Sequence, residues 1–382
     1  MSAPRHIRKV PPRHAYVHVP FCARRCSYCD FAIAVRRNVP VDEYLTALKA
    51  ELDLRYHDAG PWIVDSLYFG GGTPSRLGGA GVARMLELLR GRIDLAPAAE
   101  VTLEANPDDI DRETVALWRG AGINRLSIGS QSFDDSALSW MHRTHDAAAI
   151  DRAVDAARAA GIDDLSLDLI FALPERTERS WERDIEHALA LEPSHLSLYG
   201  LTIESHTPLG RWHSRGDVVE SPEERYESEF LFAHDALAAA GFEHYEVSNF
   251  GLPGRHARHN AAYWTGSPYA GLGPSAHEFD GGRRRWNTRA YADWVHRLND
   301  RQDPLEESEQ LTEANRVAES VYLGLRTTSG LNVSGPELAH VRPWIDAGWA
   351  RIVDGERIVL TPLGWLRLDS LAADLTHVRS RY

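Results

Sequence analysis

Six apolar runs of strand length recur through the first two hundred residues, and helical segments separate them. The runs are Ala15–Val19, Val64–Phe69, Val101–Glu104, Arg125–Ile128, Leu165–Ile170 and His195–Tyr199. Between the first two, Tyr44, Leu48 and Leu52 recur every four positions, which sets them on one face of a helix. Arg84–Leu89 and Arg152–Ala160 read the same way. A small motif closes three of the helical segments: "AGI" at Ala121–Ile123, "AGI" at Ala160–Ile162 and "AGF" at Ala240–Phe242. Glycine there takes the left-handed conformation that stops a helix, and the apolar residue after it folds back onto the last turn. A repeated strand–helix unit predicts an α/β fold: a parallel sheet with helices outside it, curved into a partial, TIM-like (β/α)6 barrel. A flat doubly wound sheet is the alternative. Both place ligands at the carboxyl ends of the strands.

After about Asn299 the beat stops. "LTEANRVAESVYLGLRTTSGL" predicts an amphipathic helix ending near Gly330, and the following stretch a hairpin turning at Asp354–Gly355, then a helix. This is a small α+β, winged-helix-like tail. The expected organisation is an N-terminal extension over 1–15, a barrel over 16–250, a connecting region over 251–298 and the C-terminal domain over 299–382.

The formal net charge of −13 argues against nucleic acid as the main partner, because phosphate binding wants a basic surface. No stretch approaches the roughly 20 apolar residues of a membrane span. The first residues are basic but lack an apolar core, so no secretory leader is expected. A cytoplasmic location follows as an expectation, with peripheral membrane contact left open.

The chain has three cysteines, all within "HVPFCARRCSYCDF": Cys22, Cys26 and Cys29. Structural zinc usually takes four ligands, and here only His18 or Asp30 stands ready to complete a set. A redox C-x-x-C pair leaves Cys22 unexplained. A [4Fe–4S] cluster held by three thiolates keeps one iron open for a ligand. "YFGGGTPS" follows the second strand, and its glycines let backbone come close to a ligand. Glu104 ends the third strand, with either a structural hydrogen bond or a ligand as its partner. Gln131, Arg143 and Asp168 fall at or just beyond strand ends, the face where a barrel builds its site.

C-x-x-x-C-x-x-C after the first strand of such a repeat is similar to the signature of the radical S-adenosylmethionine (SAM) proteins. "AYVHVPFCARRCSYCDF", "YFGGGTPS", "LEANP", "RLSIGSQSF", "DLIFALP" and "AESVYLGLR" together resemble one branch, that of oxygen-independent coproporphyrinogen III dehydrogenase, over almost the whole chain. The resemblance implies a cluster on Cys22, Cys26 and Cys29, with SAM on the open iron. It implies SAM contacts at Tyr16, Tyr28, Gly71, Gly72, Thr73, Glu104, Gln131, Arg143 and Asp168, with Gly200 a weaker carry-over. A flavodoxin- or ferredoxin-type electron donor is implied as well.

Two departures separate this chain from the dehydrogenase. That enzyme has a further cysteine two places after the third, where this chain has Phe31, and it has a longer segment before its first strand. "RHNAAYW" at Arg258–Trp264 instead resembles the H-N-x-x-Y-W motif of the HemW family of haem chaperones in the same branch. That resemblance implies a protein that binds haem and passes it to acceptor haemoproteins, with His259 as haem ligand. An imidazole suits haem iron, and Tyr263 and Trp264 offer flat apolar faces to a macrocycle. His256 and His277 are nearby alternatives, and "RRRW" at Arg283–Trp286 reads as a solvated loop. The competing functions are the dehydrogenase itself and another radical SAM enzyme such as a methyltransferase or cyclopropanase.

Overall fold

The computed structural model describes residues 12–57, 61–174, 177 and 179–380. Of the expected N-terminal extension, residues 1–11 lie outside the described residues. The chain divides into two compact units. One holds the described residues up to Gly129 with Ala148–Leu165 and Ser267–Glu309. The other holds Ser130–Ala147, Ser166–Gly266 and Gln310 onward.

All six apolar runs are strands. They extend as β1 (His14–Val19), β2 (Trp62–Gly71), β3 (Ile93–Ala105), β4 (Arg125–Gln131), β5 (Asp164–Phe171) and β6 (His195–Gly200). In the first unit β1, β2, β3 and β4 pair in parallel, with Tyr16 beside Tyr68, Phe69 beside Leu103 and Glu104 beside Ser127. On the far side of β1 the strand Tyr269–Leu272 adds in parallel, and His277–Phe279 and Arg283–Asn287 continue antiparallel. The segment "RRRW" is therefore strand, not loop. Its arginines are tied down: Arg283 donates to Ser308, Arg284 covers the Phe279 ring and Arg285 pairs with Asp303.

The helix Val41–Arg55 follows the four-residue pattern, with Tyr44, Leu48 and Leu52 buried. One buried knot fixes it to the added strand. The Glu51 carboxylate is fully buried and accepts from Arg55, the Gly273 amide (2.8 Å), Asn287 Nδ2 (2.6 Å) and Trp294 Nε1 (3.0 Å). Arg55 also pairs with Glu278. Four donors on one carboxylate satisfy its lone pairs, which makes burying the charge tolerable.

The glycine punctuation works as its chemistry predicts. Gly122, Gly161 and Gly241 have φ of 114°, 80° and 87°. The amide of the next residue reaches back each time: Ile123 to Trp118 O, Ile162 to Ala157 O and Phe242 to Leu237 O, all at 3.0 Å. These are Schellman closures.

In the second unit β5 and β6 run in parallel, with Asp168 beside Ser197, and Asn249–Gly251 and Glu243–Glu246 continue antiparallel. The same unit contains the three-stranded sheet of Leu331–Asn332, Ala350–Val353 and Arg357–Leu360 with its helices. The hairpin turns at Asp354 and Gly355, both at positive φ. The helix expected to run towards Gly330 spans Glu313–Arg326 and stops four residues earlier. Thr327 takes extended geometry and bridges to Glu246, and the Thr328 amide donates to Tyr245 O. Two β-branched residues with a strand edge within reach leave the helix sooner than periodicity suggests.

Candidate functional site

The cysteine segment lies in the first unit, directly after β1. The short strand Phe21–Cys22 pairs in parallel with Ala34–Val35, so the residues between form a loop pinned at both ends. Cys22 is buried and Cys26 and Cys29 half-buried, and none forms a disulfide. Cys22 Sγ lies 3.4 Å from Thr73 Oγ1. Burial pushes the Cys29 thiol up to about 12; the Phe31 amide hydrogen bond opposes this, while the Cys26, Cys22 and Asp30 charges add to it.

Among the described residues, no three His, Cys, Asp or Glu side chains gather as ligands of one metal ion. A tetrahedral zinc with bonds of about 2.3 Å would draw the sulfurs within about 4 Å of one another. A cluster giving each thiolate its own iron allows wider spacing. The sulfurs still sense one another's charge, and cationic iron is what would keep such a set deprotonated. Three cysteines on one loop, with no fourth in the sequence, fit a cluster that leaves one iron open better than a four-ligand zinc site.

The glycine-rich turn packs against this loop. Gly71 has a φ of 112°, and a Cβ there would lie 2.4 Å from the His18 ring. At Gly72 a Cβ would lie 2.6 Å from Pro20 backbone, and at Gly70 2.9 Å from Glu104. The close approach expected at a ligand is therefore first an approach to the chain itself. The amides of Gly71, Gly72 and Thr73 are engaged by Glu104, Val19 O and Phe21 O. Amide hydrogens turned inward suit a ligand group that donates, such as an ammonium, and not an anion.

Glu104 has structural partners. It accepts from the Tyr68 hydroxyl (2.8 Å) and the Gly71 amide (3.0 Å). Tyr68 stacks on Tyr16 at 6.1 Å, and the Tyr16 hydroxyl lies 3.1 Å from His18 Nδ1. His18 Nε2 lies 2.9 Å from Ala32 O, and burial pushes this imidazole down to about 4. A neutral ring donating from Nε2 to that carbonyl and accepting at Nδ1 fits both contacts. Sequence reasoning offered His18 only as a candidate fourth ligand for zinc; the structure instead ties its ring to Tyr16 and Ala32 O. Tyr28 is half-buried within the cysteine loop. The structure thus brings Tyr16, Gly71, Gly72, Thr73, Glu104 and the cysteine loop into one network.

The other predicted residues belong to the second unit. Gln131 ends β4 at a φ of 68°, a left-handed geometry that a non-glycine residue rarely adopts. Arg143 follows the helix Asp135–Trp140, and its amide donates to Leu138 O. Asp168 lies within β5, with Ser166 Oγ at 3.3 Å from its carboxylate. Gly200 ends β6 against the Tyr226 ring.

The motif helix is Arg258–Trp264. His259 is 1 % exposed, and its Nε2 lies 2.8 Å from the Tyr263 hydroxyl one turn on. The Arg326 guanidinium sits 4.1 Å from the Trp264 ring centre and pairs at 2.8 Å with Glu246, whose carboxyl burial pushes up. His256 stacks on Tyr245 and bonds Glu243 at 2.7 Å, and His277 stacks on Trp286.

A family model described as the Radical SAM superfamily matches residues 16–188. "Heme chaperone HemW" of Synechocystis sp. is 37% identical over 329 residues, covering 84% of this chain and 79% of that one. The protein of the same name from Mycobacterium tuberculosis H37Rv is 36% identical over 370 residues, covering 95% of both chains.

The chain belongs to the HemW family of the radical SAM superfamily.

Among solved structures, the coproporphyrinogen III oxidase HemN of Escherichia coli, a radical SAM enzyme, superposes with a TM-score of 0.81 at 24% identity. That match covers 96% of this chain and 90% of the other, and it shows the fold: the radical SAM α/β architecture with its C-terminal α+β part. Membership of the superfamily implies a [4Fe–4S] cluster and SAM. Among the described residues no helix is long and apolar enough to cross a membrane.

Proposed function

We propose that this HemW-family chain is a haem chaperone: it binds haem, hands it to acceptor haemoproteins, and carries a SAM-ligated [4Fe–4S] cluster on Cys22, Cys26 and Cys29. The observation that carries the reading is similarity to HemW proteins over as much as 95% of the chain. Phe31 in place of the dehydrogenase's further cysteine supports it. When bound, the cluster and SAM supply one-electron chemistry.

The chain's own residues position that chemistry. Thr73 lies against Cys22. Glu104, held by Tyr68 and the Gly71 amide, presents a fixed negative charge suited to an ammonium. Tyr16 and Tyr28 supply aromatic surface that excludes water. Gln131, Arg143 and Asp168 carry the SAM-contact proposal on the family resemblance. His259 is the proposed haem ligand, reached when Tyr263 releases it, with Trp264 a flat face for the macrocycle. The proposed location is the cytoplasm.

The test runs two assays on anaerobically reconstituted protein. Haem titrated into the wild type should give a Soret shift that His259→Ala loses. Coproporphyrinogen III with SAM and reductant should give no protoporphyrinogen. Efficient turnover would replace the chaperone reading with the dehydrogenase.

A further inference from the structure

A cavity of about 320 Å³ opens in the second unit. Pockets that take small ligands span about 300–1,000 Å³, so this one suits the edge of a large flat molecule and not the whole of it. Tyr226, Phe230, Tyr322 and Trp365 give it aromatic walls, and Arg326 and Arg367 add two cations. Among the described residues Asp369 is the acidic member of the lining, and it is exposed. One side chain joins the cavity to the motif helix: Arg326 lines the cavity and also sits 4.1 Å from the Trp264 ring centre.

Both arginines keep donors in reserve, since a guanidinium has five N–H groups and no acceptor. Arg326 gives one nitrogen to Glu246 at 2.8 Å, while its Nε is buried with no hydrogen-bond partner among the described residues. Trp264 Nε1, on the ring that Arg326 covers, is also buried without a partner there. Buried donors seldom lack an acceptor, and a carboxylate brought beside these would supply one. Arg367 donates to Leu363 O at 2.9 Å and lies 3.9 Å from Glu227, the far limit of an ion pair. The formal net charge of −13 repels a dianionic ligand over most of the surface, so cations with donors to spare decide where it can land.

We propose that this cavity seats the propionate edge of haem, with Arg326 and Arg367 each taking one carboxylate and the four rings packing on the adjoining pyrroles. The proposal rests on the haem reading above and gives the macrocycle a second point of attachment besides its iron ligand. Guanidinium and carboxylate match in a planar, two-bond geometry, which fixes the ligand's edge as well as attracting it. Aromatic faces and edges suit the rest of that edge.

The test uses the full chain and protoporphyrin IX without metal, whose binding needs no iron ligand. Quenching of tryptophan fluorescence measures affinity, and circular dichroism confirms the fold of each variant. Arg367→Gln and Arg326→Gln should each weaken binding about tenfold, the loss expected for one charged hydrogen-bonded pair. Protoporphyrin IX dimethyl ester, which lacks the free carboxylates, should bind at least about tenfold more weakly than the acid and should not distinguish these variants from the wild type. Arg351→Gln, exposed on the strand Ala350–Val353, should bind the acid like the wild type. Arg326→Gln removes the partner of the buried Glu246; if it fails to fold, Arg367→Gln and the ester carry the test. Arginine variants that bind the acid as tightly as the wild type would overturn the proposal, and so would an ester that binds as tightly as the acid. A wild type that ligates haem through His259 yet takes up no protoporphyrin IX would do the same. Protoporphyrin IX held through these arginines, in a chain whose haem Soret band is indifferent to His259→Ala, would sink the iron ligand and leave the cavity standing.

Discussion

Replacing Tyr263 by phenylalanine should tighten haem binding. In the described state Tyr263 holds His259 Nε2 at 2.8 Å within a helix, and His259 is 1 % exposed. Under the proposed ligation by His259, iron would compete with that hydroxyl for the same nitrogen. A protein hydrogen bond contributes about 1 kcal/mol net, within about 0.5–1.5 kcal/mol. Removing it from the unliganded state should lower the haem dissociation constant by about fivefold, since about 1.4 kcal/mol is a factor of ten. The ring stays, so its flat contact with a macrocycle is preserved. The assay is an anaerobic haem titration of wild type, Tyr263→Phe and His259→Ala followed at the Soret band, with circular dichroism melts confirming that each variant folds. If Tyr263→Phe weakened binding as far as His259→Ala, the hydroxyl would be part of the haem site instead of its competitor. An unchanged dissociation constant would mean that the bond does not oppose ligation.

Glu51→Ala should lower the melting temperature by roughly 10 °C in calorimetry, because breaking a buried, fully bonded charge network costs about 3–5 kcal/mol; Glu51→Gln should fall between, and a shift under about 2 °C would contradict the assigned role of this knot. Stability should also fall below neutral pH through the buried imidazoles. Burial pushes His244 down to about 3 and His18 to about 4, while an unfolded histidine protonates near 6.5. The unfolded chain then binds more protons across that window, so stability is fully present above about pH 6.5 and declines towards pH 3 at up to ~1.4 kcal/mol per pH unit for each group. Urea midpoints at pH 7, 6 and 5 should show the decline, and His244→Gln should flatten it; equal slopes for the two proteins would refute the assignment.

The beat of strands and helices was legible because burial on both faces demands continuous apolar runs and one-sided helices, and the three glycine stops because only glycine takes that turn without strain. The cysteine spacing could raise the cluster proposal for a similar reason: candidate ligands of one centre on one loop are local in sequence. The added strand Tyr269–Leu272 beside β1 was not legible, since a four-residue strand leaves too short a pattern to read. Nor was the Glu51 knot, whose partners lie more than two hundred residues away except for Arg55.

What the sequence determined by itself was thus chemistry that is local: which side chains are candidate ligands, where helices stop, which segments must be buried. Only the tertiary structure decided how those groups are occupied. It gave the glycines of Gly70–Gly72 to His18, Pro20 and Glu104, and it closed His259 with a tyrosine one turn away. Close packing leaves no room for a side chain at those glycines, and a buried imidazole takes whatever donor the fold supplies. Neither choice can be read from spacing, because it depends on which distant surfaces the folded chain presses together.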